Sequence, residues 1–426
     1  MKQIKTSLFI ILLASCIWSC GNNKENDLPD TSEKEYILNA EVTNKANGTA
    51  EVNNSDKRIT VRNIKKKEGW HNVRIKLTLA QFVYMIDPLQ QENEYNLTGR
   101  NIRIKVRYGA AGGKEIAYDI SIEEAGENEV DPQTKGWTET TEFGPLPEGI
   151  RIYMSPDELL GKKVRACIAV VDMVKGHKFV IHGGEVDGLR TPDDFYEEKK
   201  SPLIINGSYF YSTWNVGLLV KNGKFIRANS REVARKGPDG TDVTYYPTRG
   251  VFGLTQDGTY RVDWVYTLDN ITYGYPQPSP VVPGQTPPPP PSSAYPAEGE
   301  EMTWQDAIGA GPVLVKNSEI RNTWQEEILD DEGGIQPNNN HPRTAIGITE
   351  TLKMIYFVCE GRNATPDVPG MTTGNVAEIM LELGCTDALN LDGGGSTCMI
   401  VNGKQTIKTS NTNGAQRAVA TVLAIE

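Results

Sequence analysis

The chain is poor in the residues that announce several common functional classes. Of its 426 residues, six are cysteine and four are histidine. No Cys-x-x-Cys pair or other zinc-like spacing occurs, which removes the usual structural zinc sites. Basic residues are outnumbered: 44 Lys and Arg stand against 55 Asp and Glu, for a formal net charge of -11. That balance argues against nucleic acid as a partner. Beyond the first twenty residues, no apolar run is long enough to cross a membrane as a helix.

The N-terminus gives an address. "MKQIKTSLFIILLASCIWSC" places Lys2 and Lys5 ahead of an apolar core, Leu8 to Ala14, that is too short to span a bilayer. Cys16 and Cys20 each follow a stretch resembling a bacterial lipobox. Cys20 is favoured as the lipidated residue because an acidic, polar stretch follows it; Cys16 is the alternative, and an ordinary cleaved signal peptide is the plainer reading. The expectation is a lipoprotein signal peptide over 1–20 and a tether over 21–34. The protein would then be exported and lipid-anchored in a bacterial cell envelope, surface-exposed or periplasmic. Four cysteines remain after the leader: Cys167, Cys359, Cys385 and Cys398. They read as buried free thiols, although export also permits a disulfide.

Residues 35–125 hold short segments of near-alternating character, such as "RITVRNI" and "NIRIKVRYG", punctuated by Gly and Asn. They predict a small all-β, sandwich-like domain acting as a spacer or an adhesion module. The turn-rich stretch 126–150 reads as a linker. Over 151–426 strands outnumber helices, which predicts an α+β domain with a mixed, strand-rich sheet. "TGNVAEIMLELGC" reads as an amphipathic helix with Val376, Ile379, Met380 and Leu383 on one face. Ser155 in "SPDEL" would open another. The proline-dense stretch 276–300 reads as a disordered, polyproline-like surface insertion.

"DALNLDGGGSTCMIVNG" concentrates the chemistry. No lysine follows the glycines, so it is not a nucleotide phosphate loop. A strand rather than a helix follows them, so it is not a dinucleotide fingerprint either. Asn390 and Asp392 share one face of a strand of period two. The amides of Gly393, Gly394, Gly395 and Ser396 could form an anion-binding concavity; a tight hairpin is the plainer reading. "HPRTAIG" brings His341, Arg343 and Thr344 together, and arginine suits phosphate. "FVCEGRN" ends a strand with Glu360 and Arg362, a site mouth or a structural ion pair. "NGSYF" offers Asn206 and an aromatic wall of Tyr209 and Phe210. Asp392, Glu360 and Asp172 are oxygen ligands suited to calcium or magnesium, but no spacing demands a cation, and none is assigned.

Taken together, "NGSYF" at 206–210, "GPVLV" at 311–315, "HPRTAIG" at 341–347, "CEGR" at 359–362, "EIMLELG" at 378–384 and "ALNLDGGGS" at 388–396 resemble the phosphodiester glycosidase family. Order and spacing agree from about Val164 to Glu426. One departure is Glu360, where the family pattern has aspartate. The resemblance implies hydrolysis of a sugar-1-phosphodiester, N-acetylglucosamine-1-phosphate-type, to free sugar and phosphomonoester. For that reaction we assign Asp392 as the principal carboxylate, activating water or stabilising the developing cation, and Glu360 as a second, acid-base or orienting. Arg343, Arg362 and His341 would serve the phosphate. Asn206, Asn390 and Thr344 would position hydroxyls or water, with Tyr209 and Phe210 against the sugar. A non-catalytic sugar-phosphate-binding protein and a phosphodiesterase cutting P–O remain as alternatives. The substrate partner is a glycan phosphodiester, and the membrane is met through the lipid anchor.

Overall fold

The computed structural model describes residues 35–43, 49–62, 74–87, 94–97, 102–109, 113–122, 130–186 and 188–426. Cys16, Cys20 and the tether lie outside the described residues. In the N-terminal region, Ile37–Val42, Arg74–Leu79 and Glu94–Asn96 form a three-stranded sheet. Thr49–Asn53, Arg58–Arg62, Val83–Asp87, Ile102–Tyr108 and Glu115–Ile122 form a five-stranded one. Alternation sorts the faces: Ile75 and Leu77 turn inward while Arg74 and Lys76 turn out. Ile59, Val61, Ile104, Val106 and Ile120 join Ile75 in a core built from this region alone.

The remainder is organised by three sheets around one core. An eight-stranded sheet runs, in spatial order, through Glu319–Ile320, Val313–Lys316, Cys385–Asn390, Arg343–Thr349, Lys353–Cys359, Ala166–Asp172, Ile150–Met154 and Thr138–Thr140. A five-stranded sheet contains Phe179–Gly183, Thr421–Ile425, Leu203–Asn206, Met399–Val401 and Lys404–Gln405. A seven-stranded sheet includes Leu219–Lys221, Trp304–Gly309, Arg249–Thr255 and Tyr260–Leu268. Ile346 and Leu389 of the first, Leu203 and Leu423 of the second and Phe252 and Trp264 of the third pack into the same cluster. The strand-rich α+β expectation holds. Pairing within these three sheets is antiparallel, where a mixed sheet was expected.

The central strands are buried on both faces, so they read as continuous apolar runs rather than alternating ones. In Arg343–Thr349, Ile346 faces the common core while Ala345 faces a second cluster on the opposite side. That second cluster is closed by helix α2, Thr373–Glu382, through Val376, Ile379 and Met380. Thr372 and Asn375 form a capping box at its start. Helix α1, Pro192–Lys199, was not expected. Its signal is local: Thr191 and Asp194 form a capping box around Pro192, but Phe195 is its only buried large apolar residue, so it shows almost no stripe.

Three expectations are corrected. "SPDEL" starts no helix: Glu158–Leu159 pairs with Lys162–Lys163, and Leu160 and Gly161 both take positive φ between them, as a two-residue hairpin turn requires. The stretch 126–150 is not a bare linker, because Thr138–Thr140 forms an edge strand and Trp137 is buried against Phe357. The proline-rich stretch 276–300 is pinned rather than loose. Val281 is buried with Tyr245 and Ile328, the Tyr245 hydroxyl donates to Gln285 O at 2.7 Å, and Ser279 N–H donates to Thr248 Oγ1 at 2.9 Å.

Candidate active site

The glycine segment joins two sheets rather than closing a hairpin. Cys385–Asn390 pairs with Arg343–Thr349 in the eight-stranded sheet, whereas Met399–Val401 pairs with Leu203–Asn206 in the five-stranded one. The backbone crosses between them through a short turn at Gly394–Ser396. Gly394 sits at φ +59°, and a Cβ there would lie 2.9 Å from Arg362 Nη2. A Cβ on Gly395 would meet Asn411 Oδ1 at 2.5 Å. The glycines therefore let a guanidinium and an amide press against the backbone.

The amides themselves are mostly occupied. Gly393 N–H donates to Asp392 Oδ1 at 2.9 Å, Gly394 N–H to Pro342 O at 2.9 Å and Ser396 N–H to Gly393 O at 3.1 Å. The expected anion-binding concavity of bare amides is thus not formed at these three positions.

Asp392 stands where two cavities meet. One, about 260 Å³, is polar and basic: His341, Arg343, Arg362 and Arg417 line it beside Gly393–Gly395. The other, about 590 Å³, is largely apolar, with Tyr209, Phe210, Val216, Ile328 and Leu329 on its wall. Asp392, Tyr209 and Arg417 line both. Burial raises the Asp392 carboxyl to about 6, against the opposing effects of a Ser396 hydrogen bond, the Arg417 charge, the Gly393 N–H and the Arg362 charge.

The remaining expected residues divide between the cavity and its support. Arg362 donates Nε–H to His341 Nδ1 at 3.2 Å, and the other ring nitrogen of His341 contacts Gln336 Oε1. Burial, with the charges of Arg343 and Arg362, holds His341 below its ordinary pKa, so the ring is neutral near pH 7. Arg343 is a correction. It lines the basic cavity, but its guanidinium donates to Met371 O, Ile335 O, Gln336 O and Asn339 O at 2.7–3.0 Å. Four of its five N–H bonds hold loops, so it shapes the phosphate side rather than clamping it.

Asn206 and Thr344 are buried braces. Asn206 Nδ2 donates to Asp392 O at 2.6 Å, while its Oδ1 accepts from Thr344 Oγ1 at 2.8 Å and from Cys398 N at 3.1 Å. Asn390 Nδ2 donates to Tyr209 Oη and to Gly311 O, each at 3.0 Å, and Tyr209 donates to Gly311 O at 2.6 Å. Asn206 and Thr344 thus fix Asp392, and Asn390 Nδ2 fixes Tyr209, while Asn390 Oδ1 is buried without a hydrogen-bond partner.

Glu360 is the clearest correction. It is 5% exposed, lines neither cavity, and accepts Lys408 N–H at 3.0 Å through Oε1. The strand Lys353–Cys359 ends just before it, and its side chain serves the Lys408 segment rather than the cleft. Asp172 likewise binds Lys353 Nζ at 2.6 Å and caps Val174 N–H. Asp392, Glu360 and Asp172 are not brought together, and among the described residues no group of three His, Cys, Asp or Glu side chains is placed to hold a metal ion. All four described cysteines are buried and free.

Sequence reasoning missed Arg417. It lies in "NTNGAQR", a loop without periodicity, and its Nη1 reaches Ser396 Oγ at 3.4 Å.

Comparison with known proteins places the chain in one family. The phosphodiester glycosidase family profile matches residues 199–426, more than half of the chain. A SPbeta prophage-derived uncharacterized protein YomE of Bacillus subtilis (strain 168) is 35% identical over 121 residues, which cover 28% of this chain and 17% of that protein. The chain is therefore matched to only a small part of that relative's length. Among solved structures, the zebrafish N-acetylglucosamine-1-phosphodiester alpha-N-acetylglucosaminidase catalytic domain, auto-inhibited by its pro-peptide, is 20% identical, covering 68% of this chain and 87% of that one at a TM-score of 0.45. A hypothetical protein from Synechocystis is 12% identical, covering 91% and 80% at a TM-score of 0.44.

Proposed function

The chain belongs to the phosphodiester glycosidase family, and from that premise we propose that it hydrolyses a sugar-1-phosphodiester to free sugar and phosphomonoester. One observation carries the reading: a single carboxylate, Asp392, stands between a basic cavity and a larger cavity with an aromatic and apolar wall. The phosphate would enter the basic side, facing Arg362, Arg417 and His341. The sugar would lie against Tyr209 and Phe210, which puts C1 beside Asp392. As the C1–O bond breaks, the departing phosphate keeps both electrons of the bond and the ionised Asp392 carboxylate stabilises the oxocarbenium-like carbon; water then adds its oxygen to C1, Asp392 takes the proton it gives up and releases it to solvent, and free sugar and phosphomonoester remain. Phosphate leaves readily as an anion, so one ionised carboxylate and fixed cations suffice without a second carboxyl as acid. The loss of Glu360 from the cleft is compatible with that chemistry.

We further propose an exported enzyme, anchored through Cys20 or alternatively Cys16, that acts on envelope or other external glycan phosphodiesters. The test is hydrolysis of N-acetylglucosamine-1-phosphodiesters, and of variants with other sugars, in ¹⁸O-water. Label in the sugar supports C–O cleavage. Label in the phosphate would make the protein a phosphodiesterase, and binding without product would make it a sugar-phosphate receptor.

A further inference from the structure

The larger cavity is apolar over most of its wall, yet two nearly buried lining residues carry donors without partners. Arg249 is 9% exposed, and Asn229 is 7% exposed. Arg249 spends Nη1 on the carbonyls of Glu327 and Ile328; its Nε and Nη2 have no hydrogen-bond acceptor among the described residues. Asn229 Oδ1 accepts Leu218 N–H at 2.6 Å, which makes its other atom the Nδ2 donor, and that atom is buried without a partner. The fold puts both at one end of one sheet. Arg249 begins a strand in which Val251 pairs with Gly309, and Asn229 packs on Gly309.

Neighbouring acids do not consume the Arg249 fork. Glu327 spends its carboxylate on Gly250 N–H, Val313 N–H and Thr323 Oγ1 at 2.7–2.8 Å. Asp330 is taken by Arg235, which also lines this cavity and is thereby neutralised. An unpartnered buried donor is costly, and a guanidinium edge of Nε and Nη2 matches the two oxygens of a carboxylate.

We infer that this cavity is a subsite for a carboxylate on the sugar, so that the substrate is the 1-phosphodiester of an acidic sugar of the uronate type, held by Arg249 and Asn229. The inference rests on the hydrolase reading for its place in a reaction, but the subsite itself is tested by binding. The full chain in detergent is assayed on methyl phosphodiesters of glucuronate-1-phosphate, glucose-1-phosphate and N-acetylglucosamine-1-phosphate, both anomers of each. Calorimetry with free glucuronate and glucose runs beside it.

The expected result is a kcat/KM on the glucuronosyl diester about 10–100 times that on either neutral diester, the range of one charge-assisted contact. Arg249→Gln and the near-isosteric Asn229→Asp, which keeps the acceptor for Leu218 N–H, should each pull that ratio to about one or below. Arg249→Lys should retain part of it. Equal or better turnover of a neutral diester by the unaltered chain would overturn the inference and leave the hydrolase reading standing, whether or not the variants fold. Glucuronate binding that the variants lose, with no diester cleaved, would keep the subsite and remove the hydrolase reading. Neither cleavage nor binding would remove both.

Discussion

Arg362 points its Nε–H at His341 Nδ1 across 3.2 Å, and the same guanidinium lies against the backbone of Gly394. The imidazole must therefore carry its proton on Nε2, facing Gln336, with its free lone pair toward the arginine. This fixes a planar cation beside Asp392 in the basic cavity. Arg362→Ala is expected to lower kcat by about 10²–10³, the loss typical of one transition-state donor. Arg362→Lys should recover little, because an ammonium lacks the planar fork. Steady-state kinetics on a sugar-1-phosphodiester decides it, and full turnover in the lysine variant would take Arg362 off the phosphate.

Asp392 yields two separable expectations. If it works ionised, kcat/KM rises with pH along a limb centred near its pKa of about 6, and Asp392→Asn removes the limb together with most turnover. The stability effect has the opposite sign. Its folded pKa lies above the ordinary 3.8, so the folded state holds a proton that the unfolded state has lost between about pH 4 and pH 6. That contribution is complete below about pH 4 and is lost as pH rises through about 6. Asp392→Asn should therefore gain thermal stability relative to the unaltered chain as pH goes from 4 to 7. Melting curves at both ends of that window check the sign.

Glu360→Gln should be mild. Gln keeps an oxygen for Lys408 N–H, and the side chain lines neither cavity. Turnover is expected to stay within about threefold, since no transition-state contact is removed. A loss approaching that of Asp392→Asn would restore Glu360 to the chemistry.

What was legible in the sequence follows its physics. "DALNLDGGGS" and "HPRTAIG" are strand ends with polar residues beyond an apolar run, and their strands do lie side by side, Ala345 opposite Asn390. That proximity could be read; the direction of each side chain could not. Asn206, Thr344 and Asn390 look like ligand-binding groups in one dimension, but Asn206 and Thr344 bond each other and the Asp392 backbone, and Asn390 Nδ2 holds Tyr209 Oη, so these groups brace the site from inside the fold. Glu360 failed for a related reason: a carboxylate at a strand end says nothing about which loop crosses above it. Arg417 and Arg249 reach the cavities only through long-range closure of the fold, which no local period encodes.

A buried ion cluster joins two of the sheets away from the site. Lys316 Nζ lies 3.2 Å from Asp263 Oδ1 and 3.2 Å from Asp387 Oδ1, with all three side chains nearly buried. Asp263 belongs to the seven-stranded sheet; Lys316 and Asp387 lie on neighbouring strands of the eight-stranded sheet. Burial alone would lower the lysine pKa, but the two carboxylates outweigh it and raise it. Lys316→Met keeps the stem volume and removes the cation from between two buried acids. Breaking such a group typically costs about 3–5 kcal/mol. Asp263 keeps Arg261 Nε at 2.7 Å, and Asp387 keeps the Thr386 hydroxyl at 3.3 Å and Asn317 N–H at 3.4 Å, but neither of those neutral donors replaces the lysine charge. Adding Asp387→Asn should recover part of the loss. Urea denaturation of the single and double variants measures this. Asp387 shares its strand with Asn390, the donor to Tyr209 Oη, so the single variant should also lose activity before it unfolds, and the double should regain it.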